Sequence, residues 1–118
     1  MLTKIIDRLK QGTVNRVVAY GVEQLPEPPY IVVRPERNPI GNGRNYRIIV
    51  HFLPGQQTFL EDYARNNVFD LLDNYKTNSR HGNYNQVLTE DDWSDIITNN
   101  DDGTISMERV FLVPSLIF

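Results

Sequence analysis

Apolar positions at Leu2, Ile5, Ile6 and Leu9 recur at helical spacing, with Lys4, Asp7, Arg8 and Lys10 between them, and Gly12 is a natural stop. The spacing predicts a short amphipathic helix over 2–11. Val14 to Tyr20 then reads as a strand. A loop with Pro26, Pro28 and Pro29 follows, and Tyr30-Ile31-Val32-Val33 reads as a compact strand ended by Pro35. Residues 35–45 hold Pro39, Gly41 and Gly43 and read as a long hairpin tip. The clearest alternation is in 46–53. Tyr46, Ile48, Val50 and Phe52 share one face, and Arg47, Ile49, His51 and Leu53 the other.

Pro54-Gly55 closes that strand, and Thr58-Phe59-Leu60-Glu61 has the form of a capping box. Beyond it Leu60, Ala64, Val68, Leu71 and Tyr75 form an apolar stripe. Asp62, Asn66, Asp70 and Asp73 form the polar face, and Phe59, Tyr63 and Phe69 stand off the stripe as candidate contact residues. Residues 76–86 read as a polar loop. Two strands, Asp92 to Thr98 and Gly103 to Val113, flank the turn-rich run Asn99 to Gly103, and alternation slips at Glu108-Arg109 as a bulge would make it. The expected class is α+β: a mostly antiparallel twisted sheet of about five strands with two helices on one face, in a single domain over 1–118.

Charge changes this picture more than composition does. The net charge is −3, but the segment from Arg34 to Arg47 carries Arg34, Arg37, Arg44 and Arg47 against Glu36 alone. The segment from Glu90 to Asp102 carries Glu90, Asp91, Asp92, Asp95, Asp101 and Asp102 with no base. Such segregation suits association between copies or with partners, and it equally suits two solvated loops. The C-terminal stretch Pro114-Ser115-Leu116-Ile117-Phe118 is apolar, so Leu116, Ile117 and Phe118 are further candidate contact residues, in the core or on a neighbour.

Candidate chemistry is sparse. No metal-ligand spacing joins His51 or His81 to a partner, and an EF-hand reading of the acidic run puts Arg109 where a bidentate carboxylate belongs. Gly41-Asn42-Gly43 lacks the third glycine of a phosphate cradle, no serine sits in a nucleophile elbow, and no cysteine is present. The expectation is a protein that is not an enzyme and takes no cofactor and no metal. The start of the chain lacks the apolar core of an export signal, and no apolar run is long enough to span a membrane. The four arginines with Tyr46 allow a nucleic-acid-binding reading, against which stands an acidic pI of about 5.3.

The order of these segments resembles that of the tail terminators, or tail-completion proteins, of lambda-like long-tailed bacteriophages. The likeness rests on the N-terminal helix, the proline-led strand Pro28 to Val33 and the long hairpin tip. It continues with the stretch His51-Phe52-Leu53-Pro54-Gly55-Gln56 running into an amphipathic helix, and with the Asp- and Gly-rich turn before a long last strand. The resemblance implies a structural virion protein that forms a hexameric ring at the head-proximal end of the tail, first in the host cytoplasm and then in the virion. Its partners would be further copies of itself, the tail-tube protein and the head-tail connector or stopper, with DNA passing through the lumen without specific binding. Another head-tail neck protein is a close alternative. In a ring, the arginine and acidic segments form one plausible head-to-tail contact, or the acids line the bore and repel phosphate.

Overall fold

The computed structural model describes residues 2–12, 16–22, 24–37, 44–72, 76–78, 84–86, 88–89 and 96–113; Glu90, Asp91, Asp92, Asp95, His81, Tyr75 and the segment 114–118 lie outside them. Helix α1 spans Leu2–Gly12 and buries Ile5 and Leu9. Its last residue is fixed by contact: a Cβ on Gly12 would strike the end of the Leu71 side chain.

Three strands follow: β1 (Arg16–Ala19), β2 (Tyr30–Arg37) and β3 (Arg44–Phe52). β1 pairs with β2 in parallel, so the sheet is mixed. The connection between them, 20–29, is a crossover with a cis Pro28-Pro29 bond and not a hairpin. β2 runs past Pro35, correcting the expected stop. β1 pairs only as far as Val33, so one side of β2 is an open edge beyond it, and a residue without an N–H is tolerated there.

Two short strands, β4 (Lys76–Asn78) and β5 (Tyr84–Gln86), pair antiparallel where a loop was expected. Strands β6 (Leu88–Thr89) and β7 (Ile96–Asn99) share the outer edge of β8 (Ile105–Val113), whose inner edge pairs along its full length with β3. That register is unbroken, so there is no bulge between β3 and β8. Glu108 and Arg109 follow strict alternation: Glu108 faces Arg47, and Arg109 lies on the opposite face, 4.6 Å above the Phe69 ring. The sequence suggested a slip because both faces of β8 are substantially covered. Among the described residues the main sheet has six strands, and the class is α+β.

The second helical segment differs most from expectation. It begins in a 3-10 turn, Pro54–Gln56, in which the Gln56 side chain accepts from the Leu53 N–H at 3.1 Å. The α-helical part is Gln57–Tyr63, so Thr58 is already inside it and the Thr58–Glu61 capping box does not form. Glu61 instead accepts from the Gln57 amide at 2.9 Å. A π-helical turn, Ala64–Val68, follows, closed by the Phe69 N–H donating to the Ala64 carbonyl, and then a 3-10 turn, Phe69–Leu71.

The wide turn inserts one residue into the helical phase. The buried line therefore runs Leu60, Ala64, Val68, Phe69, Leu72, while Leu71 is only partly buried. These residues join Ile5 and Leu9 in one cluster with Val17, Ile31, Val33, Tyr46, Ile48, Val50, Phe52, Ile105, Met107, Phe111 and Val113. The strands contribute alternate positions to it, so one sheet face is the core face.

Candidate functional site

The opposite sheet face carries the chemistry. Register places Arg34 directly across from Arg47 on this face and Arg37 across from Arg44 at positions of the core-side face, so all four arginines belong to strands and not to a loop tip. Like charges facing each other across a ladder destabilise it, and for Arg34 and Arg47 two acids on the same face answer this. The Arg47 guanidinium donates to both oxygens of Glu36, at 2.5 and 3.2 Å, and its third nitrogen donates to Glu108 at 2.8 Å. The Glu36 hydrogen bond is the main reason the Arg47 pKa rises above its ordinary value. Arg34 lies 3.8 Å from Glu36 and stacks 4.6 Å above the Tyr20 ring.

Arg47 is thus an internal bridge, which corrects its expected role as a contact residue. Its side chain is only 19% exposed, against 45% for Arg34. Arg44 is exposed at the end of β3; the side chain of Arg37 is not among those described.

At the other end of the same face Tyr30 and His51 stand opposite each other and stack, with ring centroids 4.6 Å apart. His51 also faces Ser106 across β3 and β8. Burial lowers the His51 pKa, against an opposing pull from Asp102 and Glu108, and raises that of Tyr30, with Asp102 adding to the rise. His51 Nδ1 is enclosed without a hydrogen-bond partner, which further favours the neutral ring. Over this region opens a groove of about 620 Å³, with Val32, Ile49, His51 and Ser106 on its floor. Its wall is the β1–β2 crossover, with Tyr20, Val22 and Leu25. That wall is anchored by the Tyr20 N–H donating to the Val33 carbonyl at 2.9 Å.

The acidic turn joins β7 to β8 at this same end. Asn100 accepts from the Gly103 N–H at 3.1 Å, and Gly103 takes φ +86°, a conformation suited to glycine. Asp102 accepts from the Thr104 N–H at 3.0 Å and the Thr104 hydroxyl at 2.6 Å, and these bonds hold its carboxyl below the usual range. Asp102 therefore builds the turn, whereas Asp101 is simply exposed. Among the described residues no cluster of side chains has the make-up of a metal site.

The aromatics divide. Phe59 is 74% exposed and stacks on Tyr63, with centroids 6.5 Å apart. Phe69 is fully buried against Phe111 at 6.2 Å, so it is core and not a contact residue; the π turn rotates it inward. Sequence reasoning missed the groove because its floor is made by cross-strand pairing of Val32 with Ile49 and of His51 with Ser106, residues of three strands that carry no signal in linear spacing. The exposed apolar trio Tyr20, Val22 and Leu25 was the one visible hint.

Compared with known proteins, the chain matches no protein-family model and is similar to no curated sequence.

Proposed function

We propose that this chain is a ring-forming structural subunit of the tail-terminator type, acting at the head-proximal end of a phage tail. There it would end growth of the tail tube and join the tail to the head connector. The observation that carries this reading is charge of opposite sign at opposite ends of one sheet. Arg44 and Arg37 pair across the ladder at one end of β3, and Asp101 and Asp102 lie beside the other. The eight residue steps of β3 separate the ends by about 27 Å at ~3.4 Å each. The internal Arg47–Glu36–Glu108 bridge, together with Arg34 beside Glu36, balances charge in the middle. Such a subunit favours heterologous, head-to-tail contact, the kind that closes rings.

In this reading the sheet is twisted, both helical segments lie on the core face, and the other face is left for contact. The exposed Phe59–Tyr63 pair is a surface for the tube or connector protein. No catalytic step and no cofactor are part of the role. The nucleic-acid reading is weakened by the same geometry, because two of its four arginines are tied to carboxylates on their own sheet.

The experiment is size measurement by light scattering, with micrographs, across a salt series. Salt cuts the Debye length from ~10 Å at 0.1 M to ~3 Å at 1 M. Rings, or oligomers that weaken with salt, support the proposal. A monomer at every concentration that also fails to cap isolated tail tubes overturns it, and tight salt-sensitive DNA binding would favour the second reading.

A further inference from the structure

The groove over β3 takes no part in the core or in the contact between charged ends. Its volume of about 620 Å³ lies within the ~300–1,000 Å³ usual for small-molecule sites. Three of its side chains are apolar yet exposed: Tyr20 at 60%, Val22 at 40% and Leu25 at 54%. Val32 and Ile49 carry that surface across the floor. The other large apolar side chains exposed among the described residues, Leu53, Phe59 and Ile97, do not line it. The apolar surface is therefore confined to one pocket, where a stable protein interface would engage ~20–30 residues. A rigid ring system covers such a wall and floor at the least cost in lost torsional freedom.

Charge decides which kind of small molecule fits. The lining holds one carboxylate, Glu108, and neither lysine nor arginine. Arg47 donates to Glu108 Oε1 at 2.8 Å, and Oε2 is not used by that bond. Arg34 and Arg47 are both engaged by Glu36. At His51, on the floor, the charges that act are those of Asp102 and Glu108, and both favour a cation there. Burial outweighs them and keeps the imidazole neutral at pH 7, so His51 brings no cation of its own into that field. An ammonium group on a ligand would answer the same two carboxylates, and a phosphate or carboxylate would be repelled by them. The hydroxyls of Ser106 and Thr98 also line the groove and can accept from N–H groups.

We propose that the groove binds a small molecule made of an apolar ring system and a protonated amine, with the rings against Tyr20, Leu25 and Ile49 and the ammonium donating to Glu108. The site is complete within one subunit. It goes beyond the ring reading and does not rest on it.

The probe is tryptamine, with tryptophol as its neutral counterpart and indole-3-propionate as its anionic one, each titrated into the full chain at pH 7.5 by calorimetry. Tryptamine should bind saturably, one per chain, and about 10-fold tighter than tryptophol, as one charge-assisted hydrogen bond implies. Indole-3-propionate should not saturate, and 1 M salt should narrow the gap between tryptamine and tryptophol. Leu25→Ser should lower tryptamine affinity at least ~5-fold, through lost apolar contact, with unchanged circular dichroism and melting. Leu53→Ser, which removes an exposed apolar side chain outside the groove, should leave affinity as it is. No saturable tryptamine binding overturns the proposal. Equal affinity for the three probes, or equal losses in Leu25→Ser and Leu53→Ser, overturns it as well, because either result marks adhesion to any exposed apolar surface. Tryptamine binding by a chain that stays monomeric supports the site, and rings that bind no tryptamine remove it and leave the ring reading standing.

Discussion

Arg44 and Arg47 lie three residues apart and look equivalent in the sequence, yet charge reversal should separate them cleanly. Arg47→Glu removes hydrogen bonds to Glu36 and Glu108 and sets three carboxylates against one another. The three side chains are 19%, 24% and 19% exposed, so solvent screens them only partly. An exposed ion pair contributes ~0.2–1 kcal/mol, and stripping a partner from a fully buried one costs ~3–5. With two partners at intermediate burial, a loss of about 3 kcal/mol is expected, out of a total of ~5–15 for a domain of this kind. Unfolding entropy of ~2.1 cal/mol/K per residue converts this to a fall in Tm of about 12 °C. Arg44→Glu sits at an exposed strand end and should change stability by no more than ~0.5 kcal/mol, while abolishing or weakening self-association. Urea melts of both variants, with sedimentation at matched concentrations, give the two readouts. Equal stability losses in the two variants, or an Arg47→Glu loss below about 1 kcal/mol, would refute the bridge argument.

Four further outcomes are expected. His51 has a folded pKa lowered by burial from 6.5, so its contribution to stability is complete above about pH 6.5 and declines as pH falls below it; His51→Gln should flatten that part of a stability–pH curve, and an unchanged curve would count against it. Asp102 has a lowered pKa as well, so a second loss should follow as pH falls below its ordinary 3.8, absent in Asp102→Asn. Leu72→Ala should cost ~2–5 kcal/mol, clearly more than Leu71→Ala, in chemical denaturation; the reverse order would place the π turn wrongly. Phe59→Ser should leave the melting temperature within a few degrees and reduce binding to tail tubes, and unchanged tube binding would remove that surface from the proposal.

Much of the fold was legible along the chain because it depends on local periodicity. The helix at 2–12, the two faces of β3 and the hairpin turn around Gly103 follow from spacing and turn chemistry alone. Segregated charge was legible too, since it is a property of position in the sequence. What the sequence could not decide was every question of phase and register. A single extra residue in the π turn at 64–68 exchanged Leu71 for Phe69 and Leu72 in the core, and helical spacing carries no warning of such an insertion. The parallel pairing of β1, the passage of β2 through Pro35 and the bridging of Arg47 by Glu36 and Glu108 each depend on which strand lies alongside. The groove is the strongest case. Val32, Ile49, His51 and Ser106 come from three strands and line it together only because the ladders fix them alongside one another, so its existence was a tertiary decision.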